Sequence, residues 1–271
     1  ARAMRRRDVL VVSGSDKQWT GSWRQQGARL IAPWYLHSAI DVLWVPGERQ
    51  RQLARRLGYR GAQCWDGYYT CDWDRFAKCH AKQQPLPRVF FFVGRYVWEK
   101  GIDLLIDAYG RYRDQMANPW PLVCAGSGPL DEMLGEQKGV ENKGFVQPNA
   151  LPALMEGAGA LLLPSRDEPW GVVVEEAAAA GLPLICSEAC GSAVHLLQDR
   201  YNGYLTQTGS ADHLARCMVA MSTLSDENRR RMGTRSHELS KQYTPTRWAD
   251  TLISGVNDWY ANDRSRKNTV A

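Results

Sequence analysis

The chain has 271 residues, 44% of them hydrophobic and 23% charged, which supplies one large or two modest cores and excludes a disordered or fibrous protein. No apolar run approaches the length of a membrane span. The net charge of +5 suits an anionic membrane surface or a phosphate-bearing ligand, and no zinc-finger or RNA-recognition motif points to nucleic acid. Arg2, Arg5, Arg6 and Arg7 are basic, but Val9–Val12 after them is too short for the apolar core of a signal peptide. Seven cysteines, an odd number without a compact framework, argue for reduced thiols and a cytoplasmic location. Cys71 and Cys79 with His80 have no zinc-site spacing, so no metal site is expected. The clusters Arg5–Arg7 and Arg229–Arg231 read as solvated faces.

In chain order, Asp8–Val12 reads as a buried strand followed by a turn at Ser13–Ser15 and a loop over Asp16–Gly27. A helix is expected over Leu30–Ile40, with Pro33 near its start. Asp41–Val45 is a second strand, Glu48–Leu57 a helix ended by Gly58, and Tyr59–Phe76 an irregular aromatic stretch. Ala77–Pro87, with Gln83, Gln84, Pro85 and Pro87, reads as a linker. From there strands alternate with helices: strands at Val89–Val93, Leu122–Ala125, Val140–Phe145, Ala158–Pro164, Pro183–Cys186 and Gly203–Leu205; helices at Lys100–Tyr112, Leu130–Gln137, Ala150–Glu156, Val172–Ala180, Ser210–Thr223, Ser225–Lys241 and Pro245–Tyr260. This alternation indicates a parallel α/β sheet, whose ligands bind at the carboxyl ends of the strands.

Four segments fall on that edge. Val93–Gly101 (VGRYVWEKG) leaves a strand through Gly94 and offers Arg95 and Lys100, two cations able to clamp a diphosphate; an ordinary charged loop is the competing account. Ala125–Leu130 (AGSGPL) lets the backbone approach a ligand at Gly126, or is a plain tight turn. Lys143–Val146 (KGFV) could read a base edge, or be a connector. Ser165–Gly181 (SRDEPWGVVVEEAAAAG) carries Glu168 on a loop and Glu176 in the first turns of a helix whose start welcomes an anion; favourable helix-end charge is the competing account. Phosphate beside carboxylates that accept from hydroxyls describes a nucleotide sugar.

In this order, VGRYVWEKGIDLLIDAY, AGSGPL, KGFV and EPWGVVVEEAAAAGLPLI resemble the carboxyl-terminal half of retaining glycosyltransferases of family 4, strongly over Val89–Thr206 and loosely from about Asp8 to Trp259. The resemblance implies the GT-B architecture, two Rossmann-like domains with parallel sheets. It implies an amino-terminal, acceptor-side domain over residues 1–85, a nucleotide-sugar-binding domain over 86–243, and a crossover helix and tail over 244–271. Arg95 and Lys100 would bind the donor diphosphate and stabilise the departing nucleotide. Glu168 would meet the donor sugar and Glu176 the ribose. Gly94, Gly126 and the backbone of Trp170, Gly171, Val172 and Val173 would line the donor, and Val146 would meet the base. The implied reaction transfers a sugar from a nucleotide diphosphate sugar, UDP by default, to a glycan, lipid-linked or small-molecule acceptor with retention at the anomeric carbon. No metal or other cofactor is implied.

Only about 85 residues precede the clean domain. The early glycine-rich loop and the amino-domain histidine of the family are not visible, so the amino-terminal domain is expected to be incomplete. Asp72 and Asp74 (DWD) read as loop residues and His195 as structural. Rival readings are a GT-B epimerase or phosphorylase and a catalytically silent nucleotide-sugar binding module. Contact with the inner face of a membrane is compatible with the charge.

Overall fold

The structure is a computed structural model of the chain and describes residues 9–82, 85–135 and 137–269. The arginines at 2 and 5–7, the start of the first expected strand at Asp8, and Gln83 and Gln84 of the expected linker lie outside the described residues.

Two compact units are present, Ala1–Thr70 with Tyr243–Ala271, and Cys71–Gln242. The first holds the parallel strands β1 (Val12–Gly14), β2 (Val42–Trp44) and β3 (Cys64–Trp65) in that order, with helices α1 (Trp23–Tyr35), α2 (Glu48–Arg56) and α11 (Pro245–Thr269). Its core centres on Val42, Trp44 and Trp65, with Trp44 stacked on Trp248 at 4.7 Å between ring centroids.

Helix α1 begins well before the expected Leu30 and runs past Pro33. Ser22 accepts from the Gln25 amide, and the Gln25 side chain accepts from the Thr20 and Gly21 amides at 2.8 and 3.1 Å. This near-reciprocal cap fixes the start and was legible as Ser-x-x-Gln. The expected linker is also wrong in its first half. Trp73–Lys82 is a helix, α3, and belongs to the second unit. Phe76 and Cys79 fall on one buried face, and the Trp73 indole donates to Ser240 Oγ at 2.8 Å. Asp74 therefore sits in the first turn of a helix rather than in a loop, and Asp72 accepts from the amides that open it.

The second unit is one six-stranded parallel sheet in the order β6-β5-β4-β7-β8-β9. The strands are β4 (Phe90–Val93), β5 (Leu122–Ala125), β6 (Val140–Asn142), β7 (Ala160–Leu163), β8 (Leu184–Ser187) and β9 (Gly203–Thr206). The intervening helices are α4 (Ile102–Gln115), α5 (Glu132–Gly135), α6 (Leu151–Glu156), α7 (Val172–Ala179), α8 (Ala193–Leu196), α9 (Ala211–Thr223) and α10 (Asp226–Ser240). Strands β4 and β7 are apolar along their whole length because helices cover both faces of such a sheet. The chain order runs outward through β5 and β6 on one side of β4 and through β7, β8 and β9 on the other. The reversal between β4 and β7 is the place where an open α/β sheet leaves a crevice.

One expected solvated residue is instead core. Arg229 is buried, and its guanidinium donates to the carbonyls of Leu86 and Pro87 at 3.2 and 3.1 Å, pairs with Asp226 and lies over the Trp120 ring. Among the described residues no helix is long and apolar enough to cross a membrane.

Candidate functional site

The crevice between β4 and β7 gathers residues from three neighbouring strand ends. After β4, Gly94 donates to the Ala125 carbonyl at 3.0 Å, and after β5, Gly126 donates to Gly144 at 2.8 Å, so the loops are stitched side by side. Gly126 has φ +152, and a Cβ there would fall on the Gly94 carbonyl oxygen. Only glycine permits that approach. Tyr96, wholly buried, pins the same loops through its hydroxyl, which donates to Asn142 Oδ1 at 3.0 Å. Burial pushes that hydroxyl's pKa up, so it stays a neutral donor.

Arg95 is exposed on this loop, and Lys100 closes a single 3-10 turn over Trp98–Lys100. Gly101 then takes φ +71 to open α4, where a side chain would strike the Pro164 carbonyl. That turn aims Lys100 across the crevice. Its ammonium pairs with Glu168 Oε2, which also accepts from Ser165 Oγ at 3.3 Å. The two ionic side chains are only 19% and 8% exposed, so the pair sits in a poorly hydrated pocket where charge is felt strongly.

A second contact joins the same loops. Arg166 forks onto Asp103 with both bonds at 2.6 Å, donates to the Trp98 carbonyl at 3.0 Å and lies over the Trp98 ring. The fork holds the Asp103 carboxyl below the usual carboxylate range. Sequence reasoning missed Arg166 and Asp103, because a lone Arg and a helix-start Asp carry no signal until the fold brings them together.

Beyond Glu168 the chain turns through Pro169 and Trp170 into Gly171, at φ +93, and then α7. The helix start has no side-chain cap, so its first amide groups keep their capacity for an anion. Val172 and Val173 are half-buried at this start, and Val146 is half-buried at the end of the loop after β6. The Trp170 side chain faces the core: it is buried, and its indole donates to Glu175 Oε1 at 2.7 Å. Ser192 donates from its amide to the Trp170 carbonyl at 2.9 Å and from its hydroxyl to Gly171 at 3.1 Å. The Glu168 turn is thus held from behind by residues of α7 and of the loop after β8.

Two adjacent glutamates follow on α7. Glu175 is wholly buried, and burial raises its pKa to about 8. Glu176 is half-buried and raised by the same cause to about 7. Perturbed carboxyls in a cleft mark a functional candidate, although Glu175 is engaged with Trp170. His195 lies with its ring 5.7 Å from that of Trp170, a packing position. Among the described residues no group of three or more His, Cys, Asp or Glu side chains is arranged to hold a metal ion.

The family model for glycosyl transferases group 1 matches residues 78–238, which is more than half of the chain and includes every element of the crevice. The chain is 36% identical over 198 residues to a glycogen synthase of Mycobacterium tuberculosis, across 68% of this chain and 48% of that protein. It is 30% identical over 188 residues to a D-inositol 3-phosphate glycosyltransferase of Corynebacterium glutamicum, across 65% of this chain and 44% of that protein. The chain therefore spans about half the length of the curated relatives it matches. Among solved structures, HepE of Anabaena in complex with UDP aligns with a TM-score of 0.77 at 18% identity, across 94% of this chain and 74% of that one. A pneumococcal O-GlcNAc transferase in complex with UDP and GlcNAc aligns with a TM-score of 0.68 at 19% identity, across 92% of this chain and 52% of that one. At these identities the likeness concerns the fold, the GT-B architecture with parallel Rossmann-like sheets. The chain belongs to the glycosyl transferases group 1 family.

Proposed function

We propose that this chain carries the donor site of a retaining glycosyltransferase of family 4, which moves a sugar from a nucleotide diphosphate sugar to a hydroxyl acceptor. The observation that carries the reading is the Lys100–Glu168 pair beside the uncapped start of α7, at the switch point of the sheet. A diphosphate at the helix start would compete with Glu168 for Lys100 and meet Arg95 on the adjoining loop. Breaking the bond to the anomeric carbon leaves negative charge on the nucleotide. Preorganised donors worth roughly 2.7–4 kcal/mol each are aimed at that charge. These cations and the helix start do the work for which other transferases recruit a divalent ion, so the reaction is proposed to be metal-independent. Glu168, released by Lys100, then accepts from sugar hydroxyls near the reacting face, and Glu176 accepts from the ribose. The acceptor attacks the face that the leaving group departs.

UDP is the proposed carrier, on the strength of UDP in the aligned structures. The acceptor is proposed to be a glycan, a lipid-linked sugar or a small molecule, in polysaccharide synthesis. The seven free thiols support a cytoplasmic setting, and exposed Trp23, Leu30, Ile31 and Trp34 on α1 support contact with the inner membrane face. The proposed organisation keeps an acceptor-side domain over residues 1–85 and a donor domain over 86–243.

The test is slow hydrolysis of UDP-glucose with water as acceptor, followed by proton NMR. Release of α-glucose before mutarotation is the expected result. Release of β-glucose contradicts retention. UDP binding without any turnover, even with acceptors present, favours the silent binding module instead.

A further inference from the structure

A second cavity, of about 770 Å³, lies in the same unit at the free edge of β9, between α9 and α10. It is two strands removed from β7 and shares no residue with the crevice. Arg200, Arg216, Arg231 and Arg235 line it, with His213 and Tyr204. Asp199 is the one acidic residue of the lining.

The charges in this cavity do not cancel. Arg200 faces Asp199 at 3.7 Å, and Arg231 pairs with Glu227 at 3.0 Å. Arg216 and Arg235 have no carboxylate partner among the described residues. Arg235 is instead fixed in orientation, over the Tyr201 ring at 4.2 Å and donating to the Tyr201 carbonyl at 2.9 Å. A guanidinium held by stacking is preorganised to fork onto an oxyanion. Four arginines against two acids leave two positive charges. His213 Nδ1 accepts from the Gln207 amide at 3.1 Å, which leaves Nε2 as the ring's donor. Burial raises the Tyr204 pKa, so its hydroxyl also stays a neutral donor.

The edge strand does not invite a peptide. Leu205 already donates to Asp199 Oδ1 at 3.0 Å, and the Gly203 carbonyl already accepts from the Arg200 amide at 2.7 Å. Arg200 reaches this position with φ +60, the one left-handed residue other than glycine among the described residues. The remaining wall is mostly apolar, formed by Leu205, Cys217, Ala220, Leu224 and Met232, with Asn228 as its one uncharged amide. Its volume matches a small ligand rather than a polymer.

We propose that this cavity binds a phosphate monoester, a dianion with an apolar or ring-bearing body, at a site separate from the donor crevice. The dianion answers the two uncompensated charges, and its body covers the apolar wall.

Calorimetric titration with phenyl phosphate tests this, with phenyl sulfate as the monoanion of the same shape. Phenyl phosphate is expected to bind at least tenfold more tightly than the sulfate. Arg216→Glu should abolish that binding and Arg235→Ala weaken it about tenfold, with Arg95→Ala leaving it unchanged. Arg216 is exposed, so its variant is expected to keep the thermal midpoint, and it decides the case even if Arg235→Ala unfolds. Equal affinity for sulfate, binding unaffected by Arg216→Glu, loss of binding in Arg95→Ala, or no heat at all would each overturn the proposal. So would binding to heparin or to anionic vesicles without binding of phenyl phosphate.

Discussion

Lys100 and Glu168 lie 68 residues apart in the chain and form an ion pair across the crevice between β4 and β7. The lysine comes from the loop after β4 and the glutamate from the loop after β7, so the contact exists only once the sheet has formed. Removing one member strands the other in a poorly hydrated pocket. Lys100→Ala and Glu168→Ala should each destabilise the chain by about 3 kcal/mol, the lower end for a broken buried pair, because Lys100 is partly hydrated. The double variant should cost less than the sum of the two. Urea unfolding of all four proteins measures the coupling, and additivity within about 0.5 kcal/mol would show that the pair carries no interaction.

Trp170 and Glu175 hold the Glu168 turn from behind. Glu175 Oε2 is buried with no hydrogen-bond partner among the described residues, so losing the indole leaves both oxygens unsatisfied. Trp170→Phe should therefore cost about 1–3 kcal/mol beyond its change in packing. Donor affinity should fall with it, because the turn that places Glu168 loosens. Thermal unfolding and nucleotide titration of the same variant check both effects.

The two α7 glutamates make stability depend on pH. Both hold folded pKa values above the ordinary 4.5 of a free glutamate, about 8 for Glu175 and about 7 for Glu176. The folded state thus binds protons that the unfolded chain has released. Their contribution is fully present below pH 4.5 and is lost as the pH rises through about 7 and 8. Glu175→Gln keeps an acceptor for the Trp170 indole and removes the charge. The variant should match the wild type near pH 5 and exceed it at pH 9 by at least about 1 kcal/mol, or roughly 2–4 °C in midpoint. A constant difference across this range would contradict the assignment.

Gly126 is the tightest point of the strand-end loops. Gly126→Ala places a methyl group on the Gly94 carbonyl and forces φ +152 on an L-residue. The loops that present Arg95 and Tyr96 must separate, so nucleotide affinity should drop at least tenfold. Circular dichroism should show the fold retained, because the sheet core of Phe90–Phe92 and Leu161–Leu163 does not depend on this turn.

Arg166 offers a test of geometry apart from charge. Arg166→Lys keeps the charge but cannot fork onto Asp103 or stack on Trp98. Nucleotide binding, measured by titration, should weaken several-fold in Arg166→Lys and again in Asp103→Asn, which breaks the same fork from the other side; wild-type affinity in both would contradict this.

Much of this was legible in the sequence because it is local. Apolar runs of four residues, ended by Gly94, Gly126 and Pro164, announce β4, β5 and β7, and Gly171 before a run of Val and Ala announces α7. The elements that were misread depend on partners distant in the chain. The helix Trp73–Lys82 lacks a strong local start and is held by Ser240 and Pro152, so the prolines after it dominated the reading. Arg229 looked like part of a basic run, yet the carbonyls of Leu86 and Pro87 and the ring of Trp120 claim it. In the crevice, the motif residues could be named, but the Lys100–Glu168 contact, the Arg166 fork and the Trp170 clamp are products of strand order.

The central claim is that the crevice between β4 and β7 binds a nucleotide diphosphate through Arg95, Lys100 and Glu176. Isothermal titration of UDP into the wild type and into the Arg95→Ala and Glu176→Ala variants tests it most directly. The account predicts one site in the wild type, weakened at least tenfold in each variant while each variant stays folded. UDP binding of equal strength in all three proteins would contradict it.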